Sequence, residues 1–200
     1  MKKSYLARDF RKTAAARFPA QSSALQAAFD ARLQSLRAEY AGASKELWRH
    51  LEKQILPGIA AYETLQSVMA KEEAFQTIHG YVEKKARRQK KLFLRLLRIP
   101  GLYRKVPQIF AEQTPKLFGE TAGFAAREIQ TTGGVWRIDM IRCPYHDVCA
   151  AHGCPDLCTC FCDSDDITYA GMHPKLLWHR TKTLGRGGDC CDFSLKLAEK

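Results

Sequence analysis

The spacing of apolar residues changes once along this chain, and that change limits the folds open to it. Leu25, Phe29, Leu33, Leu36 and Tyr40 recur every three or four positions, which lines them along one face of a helix. Leu47, Leu51 and Ile55 continue the period; after Pro57-Gly58, so do Ile59, Tyr62, Leu65 and Met69. A further helix is expected from Glu72 to about Arg98, stopped by Pro100-Gly101. From Gly101 to Thr132, Pro107, Pro115 and three glycines predict short helices and loops. At Val135 the period becomes two: Trp136, Ile138 and Met140 alternate with Arg137 and Asp139. Strands are therefore expected at 135–142, 176–184 and 191–197, the last two joined by a hairpin turn at Gly187-Gly188-Asp189. Helices first and strands later, without alternation, predict an α+β fold: a helical N-terminal half, then an antiparallel sheet with a cysteine-rich insertion.

Charge and sulfur divide the chain at the same place. Residues 1–140 hold 25 Lys/Arg against 13 Asp/Glu, and residues 141–200 hold seven against eight. All eight cysteines lie between Cys143 and Cys191. We therefore expect a basic, mainly helical region over 1–132 and a cysteine-rich, β-containing region over 133–200, packed as one compact domain. No run of about eighteen apolar residues exists, so no membrane span is expected. Met1-Lys2-Lys3 is followed by Arg8, Asp9, Arg11 and Lys12, which interrupt any signal-peptide core. The cysteines are then expected as reduced thiols in the cytoplasm.

Between Lys84 and Arg98 stand eight Lys/Arg and no acid. On a helix Lys84, Arg88, Lys91 and Arg95 share a face, near Leu92 and Leu96. A solvated face is the simplest reading, beside a phosphate-binding stripe and a surface lying on anionic lipid. No helix-turn-helix, zinc-finger or aromatic RNA-binding signature accompanies it, so nucleic acid is not expected as a partner.

The chemistry is expected from Arg142 to Asp192. A thiolate is a strong nucleophile and a soft metal ligand, and nearby cations favour it. Cys143 has Arg142 before it and His146 three residues on. Cys158, Cys160 and Cys162 would share one face if extended, with His146 or His152 as a further ligand. That spacing is neither the paired C-x2-C of structural zinc sites nor a ferredoxin run. No cofactor is therefore predicted, while zinc or iron stays open through the cysteine cluster. Cys149, Cys154, Cys158, Cys160 and Cys190 read most simply as buried core thiols, and His50 and His79 as surface or packing histidines.

The segment also resembles a known family, the L-2-amino-thiazoline-4-carboxylic acid hydrolases. The resemblance rests on Arg142-Cys143-Pro144-Tyr145, on Gly153-x-Pro155-Asp156-Leu157, and on Cys162-Asp163-x-Asp165. Arg180-Thr181-Lys182-Thr183-Leu184 and Gly188-Asp189-x-Cys191-Asp192-Phe193 complete it, with Leu56 to Tyr62 in the helical front. It implies a hydrolase that opens a small cyclic C–N substrate of thiazoline or amidine type, giving N-carbamoyl-L-cysteine. The residues it puts forward for catalysis are Cys143, Cys162, Asp163 and Cys191. Arg180, Lys182 and Asp165 are put forward for substrate binding, with Arg180 and Lys182 on one strand face gripping a carboxylate. The alternatives are a cysteine-rich metal-binding or redox-sensing module and a pseudoenzyme that binds a small ligand.

Overall fold

The computed structural model describes residues 4–198 of the chain, with the backbone alone for 128–131. The Met1-Lys2-Lys3 start lies outside the described residues. The front half is helical throughout: α1 (Tyr5–Arg17), α2 (Ser22–Glu39), α3 (Lys45–His50), α4 (Leu56–Leu65), α5 (Lys71–Leu96) and α6 (Val106–Leu117). Leu25, Phe29, Leu33 and Leu36 form the buried face of α2, as their period requires. Ser44 caps α3 by accepting the backbone N–H of Leu47.

Between α3 and α4 the helix widens into a π-turn over Leu51–Ile55. Pro57 explains it, since proline has no N–H for the carbonyl four residues earlier and its ring crowds that group. The Lys53 carbonyl instead accepts the Ser4 hydroxyl at 2.8 Å. The widened turn carries Gln54 toward the interior.

The back half is a four-stranded antiparallel sheet in the order β1-β2-β4-β3: β1 (Ala125–Thr132), β2 (Val135–Arg142), β3 (Leu176–His179) and β4 (Cys191–Leu197). The strands expected at 135–142 and 191–197 are present with those bounds and pair directly, Met140 opposite Cys191 and Ile138 opposite Phe193. Two expectations need correction. The strand expected over 176–184 stops at His179, because the next backbone N–H groups turn to a side chain: Thr181 and Lys182 both donate to Asp192 Oδ1 at 2.9 Å. Nor does Gly187-Gly188-Asp189 close a tight hairpin. Gly187 (φ +80°) ends a 3₁₀ turn over Leu184–Arg186. The close turn is Gly133-Gly134, both at positive φ, linking β2 to an unforeseen strand, β1, where loops were expected. That hairpin straddles the division expected at 132/133.

The cysteine-rich insertion between β2 and β3 is helical: α7 (Pro144–Ala151) and α8 (Leu157–Tyr169). α8 packs along α5. Leu6, Phe10, Phe29, Ile59, Tyr62 and Ile78 are buried between the front helices, and Trp136, Ile138, Met140 and Leu195 between sheet and helices.

Candidate active site

A cavity of about 270 Å³ lies between one face of the sheet, α8, α5, α6 and the π-turn. Its size falls just below the range of about 300–1,000 Å³ that suits drug-sized ligands. Cross-strand partners share a face, so Ile138 and Met140 bring Phe193 and Cys191 with them to the cavity wall. Trp136, Trp178, Tyr169 and Phe110 form an aromatic wall, the two indole rings stacked at 6.4 Å.

α8 supplies the reactive groups. Cys158, Cys162 and Asp165 are four and three positions apart, so a helix presents them on one face, into the cavity. The thiols expected to line up on an extended segment are thereby split: Cys158 and Cys162 lie together, sulfurs 3.9 Å apart, while Cys160 is buried away from the cavity. Cys162 is held down to about 7, first by the thiol of Cys158 donating to it, then by Arg180, Thr183 and Arg186; burial opposes all four. Gly185 packs against this pair, and a Cβ there would lie 3.1 Å from the Cys162 sulfur and 3.2 Å from the Cys158 sulfur. Asp165 is pushed up to about 7 by burial, reinforced by Cys162 and only partly offset by Arg180 and Lys85. Its side chain is 39 % accessible, but it opens into the cavity, where low-dielectric walls surround it.

Arg180 completes this end. It is 3 % exposed, with Nη2 donating to Asp166 and to the Cys162 carbonyl (3.0 Å) and its plane over the Phe193 ring. Its Nη1 is buried without a hydrogen-bond partner, and Asp165 Oδ2 is 3.9 Å from it. A buried guanidinium with an unused donor carries a large desolvation cost, so it calls for an anion in the cavity.

The opposite wall is polar, and its hydrogen bonds determine one another. Lys85 can only donate, and it donates to Gln54 Oε1 at 3.1 Å, which fixes the amide orientation. Gln54 Nε2 then donates to the Tyr145 oxygen at 2.8 Å, leaving the tyrosine O–H for His50 Nδ1 at 3.1 Å. His50 Nε2–H donates to the Leu117 carbonyl at 2.8 Å, so the ring is neutral, in keeping with burial lowering its affinity for a proton. Burial likewise lowers Lys85.

Of the residues singled out from sequence, Cys143, Cys162, Cys191, Asp165 and Arg180 line this cavity. Asp163 does not: it faces away from the cavity, toward Arg186 and His79 at the surface. Lys182 pairs with Asp189 outside the cavity, because the strand ends before it and it shares no face with Arg180. Burial raises Cys143 far above the ordinary thiol range despite the backbone N–H groups of Tyr145 and His146 at its sulfur. Cys191 is raised to about 11 for the same reason, and its sulfur accepts the Leu184 N–H at 3.3 Å. Cys149, Cys154, Cys158, Cys160 and Cys190 are buried. Sequence reasoning passed over Lys85 and Gln54, read His50 as a surface or packing histidine, and quoted Tyr145 only within the family motif. Lys85 was hidden within a charge run most of whose members are exposed. Among the described residues, no three His, Cys, Asp or Glu side chains converge as a metal-ligand set, and no helix is long and apolar enough to cross a membrane.

Residues 48–195 match the family described as L-2-amino-thiazoline-4-carboxylic acid hydrolase. No curated protein and no solved structure matches the chain. The matched stretch runs from α3 to β4 and includes every residue of the cavity wall. It is also well over half of the 200-residue chain, so this protein belongs to the L-2-amino-thiazoline-4-carboxylic acid hydrolase family.

Proposed function

We propose that this chain is a cytoplasmic hydrolase that opens a small cyclic, sulfur-containing amidine bearing a carboxylate, such as L-2-amino-thiazoline-4-carboxylate. The observation that carries the reading is the buried Arg180, whose Nη1 has no partner, beside Cys162 and Asp165 in one cavity. A substrate carboxylate answers the unmet donor of Arg180 through a charge-assisted hydrogen bond. Cys162, held near neutrality, supplies a thiolate; Asp165, raised to about 7, exchanges a proton at working pH. The eight free cysteines favour a reducing compartment.

The atoms of substrate and product identify the bond that breaks. The thiazoline C2 carries one sulfur and two nitrogens, and the carbamoyl carbon of the product carries an oxygen and the same two nitrogens. Both C–N bonds survive and C2–S is cleaved, so for this substrate the bond opened is C–S and not the C–N bond expected from sequence. Cys162 Sγ bonds to C2 as the C2–S bond breaks, and the departing sulfur takes the Asp165 proton. Water then adds to C2, giving its proton to Asp165, and Cys162 leaves as thiolate.

The test is direct. The purified protein is incubated with L-2-amino-thiazoline-4-carboxylate, and product is followed by the appearance of a new thiol and by mass. Thiol release that disappears in Cys162→Ser supports the reading; no release above a heat-denatured control refutes it. One observation favours the metal or redox reading instead, the 3.9 Å approach of the Cys158 and Cys162 sulfurs. Elemental analysis showing about one zinc or iron per chain would carry it.

A further inference from the structure

The basic run on α5 gathers unpaired cations onto one face of a single helix. Elsewhere Arg11, Arg17, Arg32, Arg37, Arg127 and Arg186 each meet a carboxylate. On α5, Lys84, Arg88, Lys91 and Arg95, with Arg98 just beyond its end, have neither an ion pair nor a hydrogen bond among the described residues, whereas Lys71 pairs with Asp156, Lys85 donates to Gln54 and Arg87 pairs with Glu83. Successive helical residues advance by about 100°, so Lys84, Arg88, Lys91 and Arg95 fall within about 60° of one another. Ala86 is buried and Phe93 packs against the core, nearly opposite this stripe. The stripe therefore points straight out.

Apolar side chains border the same stripe. Leu92 (55 % exposed) and Leu96 (43 %) follow directly on one flank, Leu94 lies on the other, and Ile99 (55 %) extends the surface past the helix end. These are four of the nine large apolar side chains exposed among the described residues, gathered into eight positions. Leaving them in water gains nothing for the fold, and a purely solvating charge run has no use for them. Unneutralised cations interleaved with exposed leucines fit one environment well: an anionic headgroup layer over hydrocarbon. Nucleic acid would use the cations but not the leucines, and no exposed aromatic accompanies them for stacking on bases.

We propose that residues 84–99 form a peripheral membrane-binding surface for anionic phospholipid, with Lys84, Arg88, Lys91 and Arg95 at the phosphates and Leu92, Leu96 and Ile99 entering the acyl boundary. On α5 the cavity is lined by Lys85 and Gln89, which fall on the flank that also carries Leu92 and Leu96, so the surface adjoins the site. The proposal does not depend on the hydrolase reading.

The experiment is co-sedimentation of the full chain with vesicles of phosphatidylcholine, with and without phosphatidylglycerol, at low and high salt. We expect pelleting only with the anionic vesicles, weakened by salt. Each surface charge removed should lower partitioning by about fivefold, so Arg88→Gln with Lys91→Gln should lose about twenty-five-fold at an unchanged melting temperature. Leu92→Ser with Leu96→Ser should reduce binding at high salt, where the apolar contribution dominates. Absence of binding to anionic vesicles at low salt overturns the proposal. So does a leucine variant that binds as well as the parent, or a single-stranded oligonucleotide that binds more tightly than the vesicles and competes them off.

Discussion

The ionisation of Cys162 offers the sharpest test of the site. Its thiol is lowered from 9.0 to about 7, so at pH 7 about half is thiolate, against about 1 % for an unperturbed group. The gain in reactivity is smaller than this ratio of about fifty, because intrinsic nucleophilicity falls with pKa. With a Brønsted slope of about 0.4–0.5, two units cost about tenfold, leaving a net gain of about fivefold. The midpoint, not the rate, is therefore the informative quantity. Carbamidomethylation with iodoacetamide from pH 5 to 10, read residue by residue by peptide mass, should give Cys162 a midpoint near 7. Cys143 and Cys191, raised by burial, and Cys158, raised first by its hydrogen bond to Cys162 and then by burial, should react only at the alkaline end. Cys158→Ala removes the largest stabilising contribution, the donated S–H, and should move the Cys162 midpoint up by about a unit or more. A parent midpoint above about 8.5, or one unmoved by Cys158→Ala, would refute the account of why this thiol is reactive.

Further outcomes follow from the same geometry. Arg180→Met should lower kcat/KM on a working carboxylate substrate by about 10²–10³, since truncating a buried charged partner costs about 3–4 kcal/mol; an uncharged substrate analogue should lose less, only what Arg180 contributes to holding Cys162 ionised. Asp165 has a raised folded pKa, so its contribution to stability is complete below 3.8 and is lost as pH rises through about 7. The melting temperature of the parent minus that of Asp165→Asn should accordingly fall between pH 4 and 7 and flatten above, and a difference that rises over this range would contradict the assignment. Gly58→Ala would set a Cβ 2.9 Å from the Phe161 ring, a cavity-lining residue, and should destabilise by about 1–3 kcal/mol in denaturant titration. Lys84, Arg88 and Lys91 changed together to Glu should leave turnover nearly unchanged in free solution, because none of the three lines the cavity.

What could be read from the sequence was what depends on local period. The 3.6 repeat of Leu25 to Leu36 and the alternation of Trp136 to Met140 each report burial on one face of a single element, so α2, β2 and β4 follow directly. β1 escaped because its run of Ala125 to Thr132 carries little apolar alternation, and its pairing depends on β2 across Gly133-Gly134. The end of β3 was hidden for a different reason: Asp192, eleven positions beyond Thr181, captures the backbone groups that would have continued the strand. In the site, spacing alone suggested an extended cysteine segment, whereas the helix over Leu157–Tyr169 joins Cys158 to Cys162 and rotates Asp163 out. Lys85, Gln54 and His50 come from elements whose sequence signals are those of ordinary helices, and only tertiary packing turns them toward Tyr145.

The aromatic wall of the cavity has an optical consequence. The chain contains three tryptophans, and two of them, Trp136 and Trp178, line the cavity with their indoles stacked. Trp178 also gives its N–H to Asp166, the carboxylate that holds Arg180. Excitation of this protein is thus concentrated beside the place where an anion would settle, while Trp48 supplies a background from the helical front. Arrival of a ligand at Arg180 changes the polarity and hydrogen bonding around the stacked pair, so occupancy is written into the intrinsic emission spectrum. The protein carries its own reporter, and candidate ligands are ranked by titration without label or turnover assay, whatever product each one gives.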